Sequence, residues 1–419
     1  MNEPSAQKPR KVLVNFTMAS LGLMAATMLS NLIIIRWLEP EETGVWQTLV
    51  LAQSYMAFAQ LGFFNGLNRE FPFWVGRGDS DKAHRMAATT LTQSLFCALF
   101  SFLIFGGALL YFGDERTWLL GLTAMGVMTS AGFYRDYLAA TYRTSQAFNA
   151  LAGVHWSHAL MLIVTVPLVA LWGFDGLCLR LIILGAVVPF LMHRTRPVNV
   201  APSWDWGCVR ELLSAGAPLL ALSYLITLAN GFDRVLLLAH VGVLGVGLFA
   251  PAIAVKNGIQ ALPVAINQFI SPRLSQSLGE RGDPRALWRT SWMATGATCL
   301  VMVPVIAIGW FAIPPLVEAF FPKYTQAIYP AQLLLLSGLF TGISAGTAVL
   351  ASLKAWVPLG MFSVLNVAAF WFLPSYFMAQ GDPLVGVATG WLVARGLLLP
   401  AGLILIYFAT HRTTPKVST

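Results

Sequence analysis

About twelve apolar stretches, each near the length needed to cross a bilayer, take up most of this chain. They fall near residues 12–37, 44–66, 86–112, 117–141, 150–173, 176–193, 211–239, 243–270, 291–313, 327–352, 356–379 and 384–409. A spanning helix needs about 20 apolar residues, and these runs supply them. Together they leave no room for a soluble domain. They are too long and too continuous for a membrane β-barrel, whose strands alternate over about 10 residues. Charge tells the same story: only 11% of the residues are charged, against about 25% in soluble domains. Lipid is therefore the expected solvent, and the predicted fold class is an all-α membrane protein of about twelve transmembrane helices. The first run is about 25 residues long, too long for the core of a signal peptide, and reads as an uncleaved span.

Two loops of this chain share one pattern. Arg69, Arg77-Gly78-Asp79 and Arg85 recur as Arg273, Arg281-Gly282-Asp283 and Arg289, at a constant offset of 204 residues. Each copy joins two apolar stretches. The expectation is a parallel repeat: two six-helix lobes, over residues 1–200 and 201–419, joined by the polar loop His193–Glu211. Two parallel halves rocking against each other are a common plan for a transporter.

The net charge is +8, but its placement speaks against nucleic acid. With the amino terminus inside, the even-numbered loops and both termini hold 18 of the 26 basic residues, while the odd loops hold only Arg116 and Lys323. Outer loops are acidic instead, with Glu39, Glu41, Glu42, Asp114, Glu115, Asp175, Glu318 and Asp382. This is the positive-inside pattern, which places both termini in the cytoplasm. Contact with anionic inner-leaflet lipid is a secondary role for the same residues. The Arg-Gly-Asp tripeptides are cytoplasmic on this topology, so an adhesion role is dropped.

Charge inside the spans is the functional signal. A charge at a helix centre costs about 2.5–3.5 kcal/mol on insertion scales, so it should face a cavity or a partner. Arg36 and Arg180 lie near outer span ends, from which a long side chain snorkels to the interface. Arg135 either snorkels or lines a cavity, with Asp136 beside it. Asp233 and Arg234 are adjacent, and neighbours on a helix point about 100° apart. They are not expected to face one another, and at least one should pair with another helix. Lys256 and Arg395 are mid-span, about 12 residues from the nearest loop and beyond snorkelling reach. Asn257 accompanies Lys256, and Pro251 and Pro263 bracket it. The expectation is a cationic pocket at the midplane of the second half. The competing reading is a structural ion pair, for example with Asp233. Uncompensated positive charge in a bilayer suits an anionic cargo such as a lipid diphosphate. Asn31 and other in-span amides and aromatics are the kinds of residue that bind sugar, though they also glue helices.

No enzyme chemistry is visible. There is no P-loop, no Gly-x-Gly-x-x-Gly, and no metal-ligand pattern among the six histidines or the four cysteines. His155 and His158 read as a capped helix end. The chain is expected to use no cofactor and no metal. Outer loops are short, whereas a membrane glycosyltransferase or ligase needs an outer catalytic loop.

Three motifs appear in order along the chain. The first is Ile35-Arg36-Trp37-Leu38-Glu39-Pro40-Glu41-Glu42-Thr43-Gly44-Val45-Trp46. The second is Gly216-Ala217-Pro218-Leu219 followed by Phe232-Asp233-Arg234-Val235-Leu236-Leu237. The third is Leu248-Phe249-Ala250-Pro251-Ala252 followed by Ser271-Pro272-Arg273-Leu274-Ser275. Together they resemble bacterial polysaccharide and O-antigen type flippases, the polysaccharide transporters of the multidrug/oligosaccharidyl-lipid/polysaccharide exporter superfamily. Glu39 replaces the glycine usual in the first motif.

The resemblance implies a MATE-like exporter fold with a cavity lined largely by spans one, two, seven and eight, which leaves Arg395 on the twelfth span outside the usual lining. It implies alternating-access flipping of a polyprenyl-diphosphate-linked oligosaccharide in the bacterial cytoplasmic membrane, with a polysaccharide polymerase or glycosyltransferases as partners. On this reading Lys256, Arg234, Arg135, Arg395, Asn31 and Asn257 meet the cargo, and Asp233 or Asp136 couples to an ion gradient. A cation-coupled drug or metabolite antiporter and a scaffold in a polysaccharide-synthesis complex are the rival readings.

Overall fold

Inside hydrocarbon every backbone N–H and C=O must find its partner within the protein, which leaves the helix as the natural solution for runs of this length. The computed structural model describes residues 9–260, 284–343, 349, 350, 353 and 355–412, and among them every regular element is helical. The helices are α1 (Pro9–Ile34), α2 (Pro40–Met56), α3 (Phe63–Gly76), α4 (Ser80–Phe112), α5 (Arg116–Thr144), α6 (Phe148–Val164), α7 (Val166–Arg194), α8 (Trp206–His240) and α9 (Val243–Leu248). They continue as α10 (residues 250–260), α11 (Pro284–Phe320), α12 (Ile328–Leu336), α13 (Trp356–Met378) and α14 (Pro383–Arg412). Seven of the described helices are long and apolar enough to cross a membrane. Their outward surfaces carry large apolar side chains, such as Leu110, Phe311 and Val357, which suits a lipid surround. The protein is a multi-pass membrane protein.

The chain divides into two compact units. One runs up to Leu38 and again over Leu49–Tyr224. In it α1 packs on α6, α4 on α3 and α5, and α5 on α7. Its core includes Phe63, Leu67, Met86, Tyr137 and Tyr142. The loop between α7 and α8 is pinned rather than free. Trp204 lies among Phe63, Phe96 and Trp206. Thr92 donates to the Ser203 carbonyl at 2.8 Å, and Lys82 bridges to Glu211 at 2.7 Å. Asp205 starts α8, accepting the Gly207 N–H at 2.8 Å, and that bond with the Cys208 N–H holds its carboxyl below the usual range.

The first repeated loop has a structural explanation. Arg77 follows the end of α3, Gly78 turns at φ +83°, and Asp79 caps α4 by accepting the Lys82 N–H at 2.9 Å. A tripeptide of this kind is a helix stop, a turn and a helix start. Arg273, Arg281, Gly282 and Asp283 of the second copy lie outside the described residues, as do Pro263, Lys354 and the Ser271–Ser275 motif.

The other unit takes Glu39–Thr48 and the chain from Leu225 on. There α13 packs on α14, and α12 packs between α11 and α14. Gly44 and Gly247 make a reciprocal crossing. A Cβ on Gly44 would lie 2.1 Å from the Val243 carbonyl oxygen, and one on Gly247 would lie 1.7 Å from that of Pro40. Each glycine thus meets the carbonyl one turn before the other, and only hydrogen at both positions lets the backbones approach. That accounts for the glycine of the first sequence motif. Beside it the Thr43 and Tyr324 hydroxyls bond at 2.7 Å, and Lys323 bridges to Glu39 at 2.6 Å. Burial pushes the Tyr324 hydroxyl up to about 12, so it stays neutral and available for that bond.

Candidate functional site

Among the described residues, the second unit gathers three cations around a buried carboxylate. Helix α8 is closed by the Val241 and Gly242 N–H groups, both donating to the Leu237 carbonyl. The chain then turns through α9, and α10 comes back beside α8, so that Lys256 meets Asp233 from 23 positions later. Asp233 is fully buried and Lys256 is 4% exposed. One carboxylate oxygen of Asp233 accepts from Lys256 Nζ. The other accepts the Arg234 N–H at 2.8 Å and lies 3.9 Å from Arg234 Nε. Lys256 Nζ also donates to the Asn230 carbonyl at 3.0 Å.

Aromatic rings complete the surroundings. Lys256 Nζ stands 4.3 Å from the centre of the Trp391 ring. Trp391 stacks on Phe370 with centroids 4.1 Å apart. Arg395, one turn beyond Trp391 on α14, places Cζ 5.1 Å from the Phe370 ring and 5.7 Å from Trp391. Both rings are buried. Cation–π contacts are worth about 0.5–2 kcal/mol each, and here they stand where counter-ions would otherwise be needed. Among the described residues the cluster has three cations, Lys256, Arg234 and Arg395, around one carboxylate.

The structure therefore brings four of the expected site residues together: Lys256, Arg234, Arg395 and Asp233. The ion pair weighed against a cavity at Lys256 is present. Asp233 and Arg234, expected to face apart, touch, because the carboxylate lies between Arg234 and Lys256. Arg395 joins through Trp391 and Phe370. The Trp391-to-Arg395 spacing of four residues, one helical turn, is the available sequence signal for Trp391; none points to Phe370. Asn257 follows Lys256 but is exposed.

The other expected residues lie in the first unit. Arg135 and Asp136 on α5 pair with each other at 3.0 Å, and their side chains are 32% and 53% exposed. Asn31 on α1 is half-buried. Its neighbour Ser30 holds a residue whose surroundings differ from those expected. Arg180 does not snorkel; it is 2% exposed. Its guanidinium donates to Ser30 Oγ at 2.9 Å, Thr165 Oγ1 at 3.1 Å and the Leu162 carbonyl at 3.2 Å. These bonds tie α7 to α1, to α6 and to Thr165 between α6 and α7. His155 also differs from expectation. It sits inside α6 and meets Ser20 of α1 at 3.2 Å, so it joins helices rather than capping one.

The fold has solved counterparts. An inward-facing multidrug resistance MATE family transporter of the MOP superfamily matches with a TM-score of 0.77 at 15% identity, over 96% of this chain and 100% of the other. An outward-facing structure described in the same terms matches with a TM-score of 0.68 at 15% identity, over 97% and 96%. A MOP superfamily transporter from Pyrococcus furiosus, described as having a binding pocket of reverse polarity that suggests a different function, matches with a TM-score of 0.58 at 16% identity, over 97% and 98%. No family model matches the chain, and no curated protein matches it in sequence. The likeness at these identities establishes the fold: this chain has the MATE-like architecture of MOP superfamily transporters.

Proposed function

We propose that this protein is a flippase of the bacterial cytoplasmic membrane, moving a polyprenyl-diphosphate-linked oligosaccharide from the inner to the outer leaflet by alternating access of two six-helix lobes. The observation that carries this reading is the surplus of cations around Asp233, the one buried carboxylate among the described residues. Among the described residues Lys256 and Arg234 share one carboxylate and Arg395 has none, which leaves the cluster with two positive charges in excess, and an arriving diphosphate supplies the missing negative charge. At an effective dielectric of about 20, an ion pair 4 Å apart is worth about 4 kcal/mol, several times its value in water. A cationic drug would meet repulsion at the same place. Pocket polarity varies among transporters with this fold, as the reverse-polarity pocket described for the Pyrococcus furiosus protein illustrates.

Lys256 is the amine best placed to exchange partners. It is held by Asp233, and a phosphate oxygen offers the same kind of contact. Asp233, once released, becomes able to take up a proton or a cation, which would tie the flipping step to an ion gradient. Product would pass on the outer side to a polymerase or glycosyltransferase. The multidrug description of the solved counterparts favours one other reading, a cation-coupled antiporter. It requires an acid open to a cationic substrate, and Asp136 is the half-exposed candidate.

A deletion strain tests the choice. The flippase reading expects an oligosaccharide diphospholipid to accumulate on the inner leaflet and to be cleared by the intact gene. A copy carrying Lys256→Met together with Asp233→Asn should reach the membrane and leave the lipid uncleared. No accumulation, with surface glycan unchanged, would overturn the flippase in favour of the antiporter.

A further inference from the structure

Two apolar grooves flank one short stretch of the second unit. After Leu336 the chain leaves α-helical geometry for a 3-10 turn, Ser337–Phe340. This turn is drawn inward: Ser337 and Gly338 are buried, and a Cβ on Gly338 would lie 2.8 Å from Ile259, one turn after Lys256 on α10. Leu336 and Leu339 are left as a ridge. On one side, Phe340 and the α14 residues Leu392, Val393, Gly396 and Leu397 line, with that ridge, an open groove of about 400 Å³. On the other, Val303, Ile306, Ala307, Trp310 and Phe311 of α11 line an open groove of about 430 Å³. Both linings are almost wholly hydrocarbon.

Helix α14 carries groove and charge on neighbouring faces of one turn. Leu392, Val393, Gly396 and Leu397 line the first groove, while Trp391 and Arg395 belong to the cationic cluster. A Cβ at Gly396 would come only to 3.8 Å from the Phe340 ring, so alanine fits there and only a larger side chain would fill the groove.

We propose that these grooves hold the isoprenoid chain of the cargo while its diphosphate passes Arg395 and Lys256. The inference rests on the flippase reading and deepens it, by assigning the part of the molecule that stays in hydrocarbon. Depth selects this occupant over bulk lipid. Arg395 lies twelve residues from Pro383 and seventeen from Arg412 on α14, about 18 Å or more along the helix from either end. A phospholipid keeps its phosphate at the bilayer surface, about 15 Å from the midplane. Its chains can enter a groove at this depth, but its phosphate does not stand beside Arg395. A lipid whose head is in transit does place its charge there. The groove then holds the chain on the same helical turn that meets the head, and a soluble cargo has no use for it.

The test uses full-length protein in phosphatidylethanolamine and phosphatidylglycerol vesicles with a diazirine-bearing polyprenyl diphosphate. The proposal expects label on residues 392–397 and 336–340, displaced by unlabelled polyprenyl diphosphate and not by polyprenol or excess phosphatidylglycerol. In the deletion strain, Gly396→Phe should slow clearance of the lipid-linked oligosaccharide at least tenfold, while Gly396→Ala, a control for folding, clears it normally. Label spread equally over remote surface residues such as Leu110 and Leu171, or displaced equally by phosphatidylglycerol, overturns the groove assignment and makes these ordinary lipid contacts. Normal clearance by well-expressed Gly396→Phe overturns it too, with the flippase reading intact. If the wild type neither binds polyprenyl diphosphate nor clears the oligosaccharide lipid, the flippase reading itself falls.

Discussion

Arg180 in the first unit and Lys256 in the second are equally hidden, at 2% and 4% exposure, yet they are held in opposite ways. Arg180 spends its donors on neutral oxygens: two hydroxyls and a carbonyl. Both hydroxyls already donate to their own chain, Ser30 to Thr27 and Thr165 to Met161, so each is oriented to accept. The result is a rigid junction with no carboxylate to exchange. Lys256 instead faces a carboxylate shared with Arg234, a tryptophan face and, beyond it, a third cation. Burial alone does not mark a cation as functional. What separates the two sites is whether the surroundings answer the charge with fixed neutral bonds or leave a surplus that an anion can complete.

The largest effect should come from breaking the buried pair. Removing one partner of such a pair costs about 3–5 kcal/mol, because the other charge is left buried. Lys256→Met and Asp233→Asn should therefore each lower thermal stability in detergent strongly, while the double variant recovers most of the loss. A double variant no more stable than the singles would mean that the pair is not the unit described.

Gly247→Ala should come next. A methyl 1.7 Å from the Pro40 carbonyl oxygen cannot be accommodated without backbone movement, and overpacking costs about 1–3 kcal/mol. A melting temperature within a degree of wild type would show that the two backbones cross less tightly. Arg180→Met should cost less, about 1–2 kcal/mol, since lost charged hydrogen bonds are offset by relief of a buried charge. Its transport per folded molecule should be unchanged; a specific transport defect would erase the contrast between the two cations. Arg135→Ala, at the half-exposed pair with Asp136, should be worth about 0–1 kcal/mol, and a larger loss would point to an unrecognised partner.

Much of this fold is legible in the apolar runs, and their failures have physical causes. Length and hydrophobicity place α4, α5, α8, α13 and α14 within a few residues, because lipid imposes one period and one length on all of them. The division expected between runs 150–173 and 176–193 is present at Gly173, where α7 leaves helical geometry, but a further break at Thr165 splits the first run. Arg180 lies seven residues past Gly173, near the start of its helical segment, so its place along the chain is legible; its hydroxyl and carbonyl partners on neighbouring helices are not. The charge cluster is legible in part. Mid-span position singles out Lys256 and Arg395, since depth follows from residue count. Of their shared aromatic pair, Trp391 is readable only through its four-residue spacing from Arg395, and Phe370 resembles any other apolar span residue until α13 packs on α14. The closing of Asp233 onto two cations is likewise a tertiary event that helical spacing alone argues against.

The surplus of cations is what makes this cluster fit an anion, and Arg395→Met removes one of them without touching Asp233. Arg395 has no carboxylate within ion-pair distance among the described residues, so its removal leaves no buried acid behind. The measurement is the flipping rate of a polyprenyl-diphosphate-linked oligosaccharide in vesicles holding the purified variant. The variant should be at least as stable as wild type, and its flipping rate should fall tenfold or more. A stable Arg395→Met protein that flips at the wild-type rate would contradict that role for the cluster.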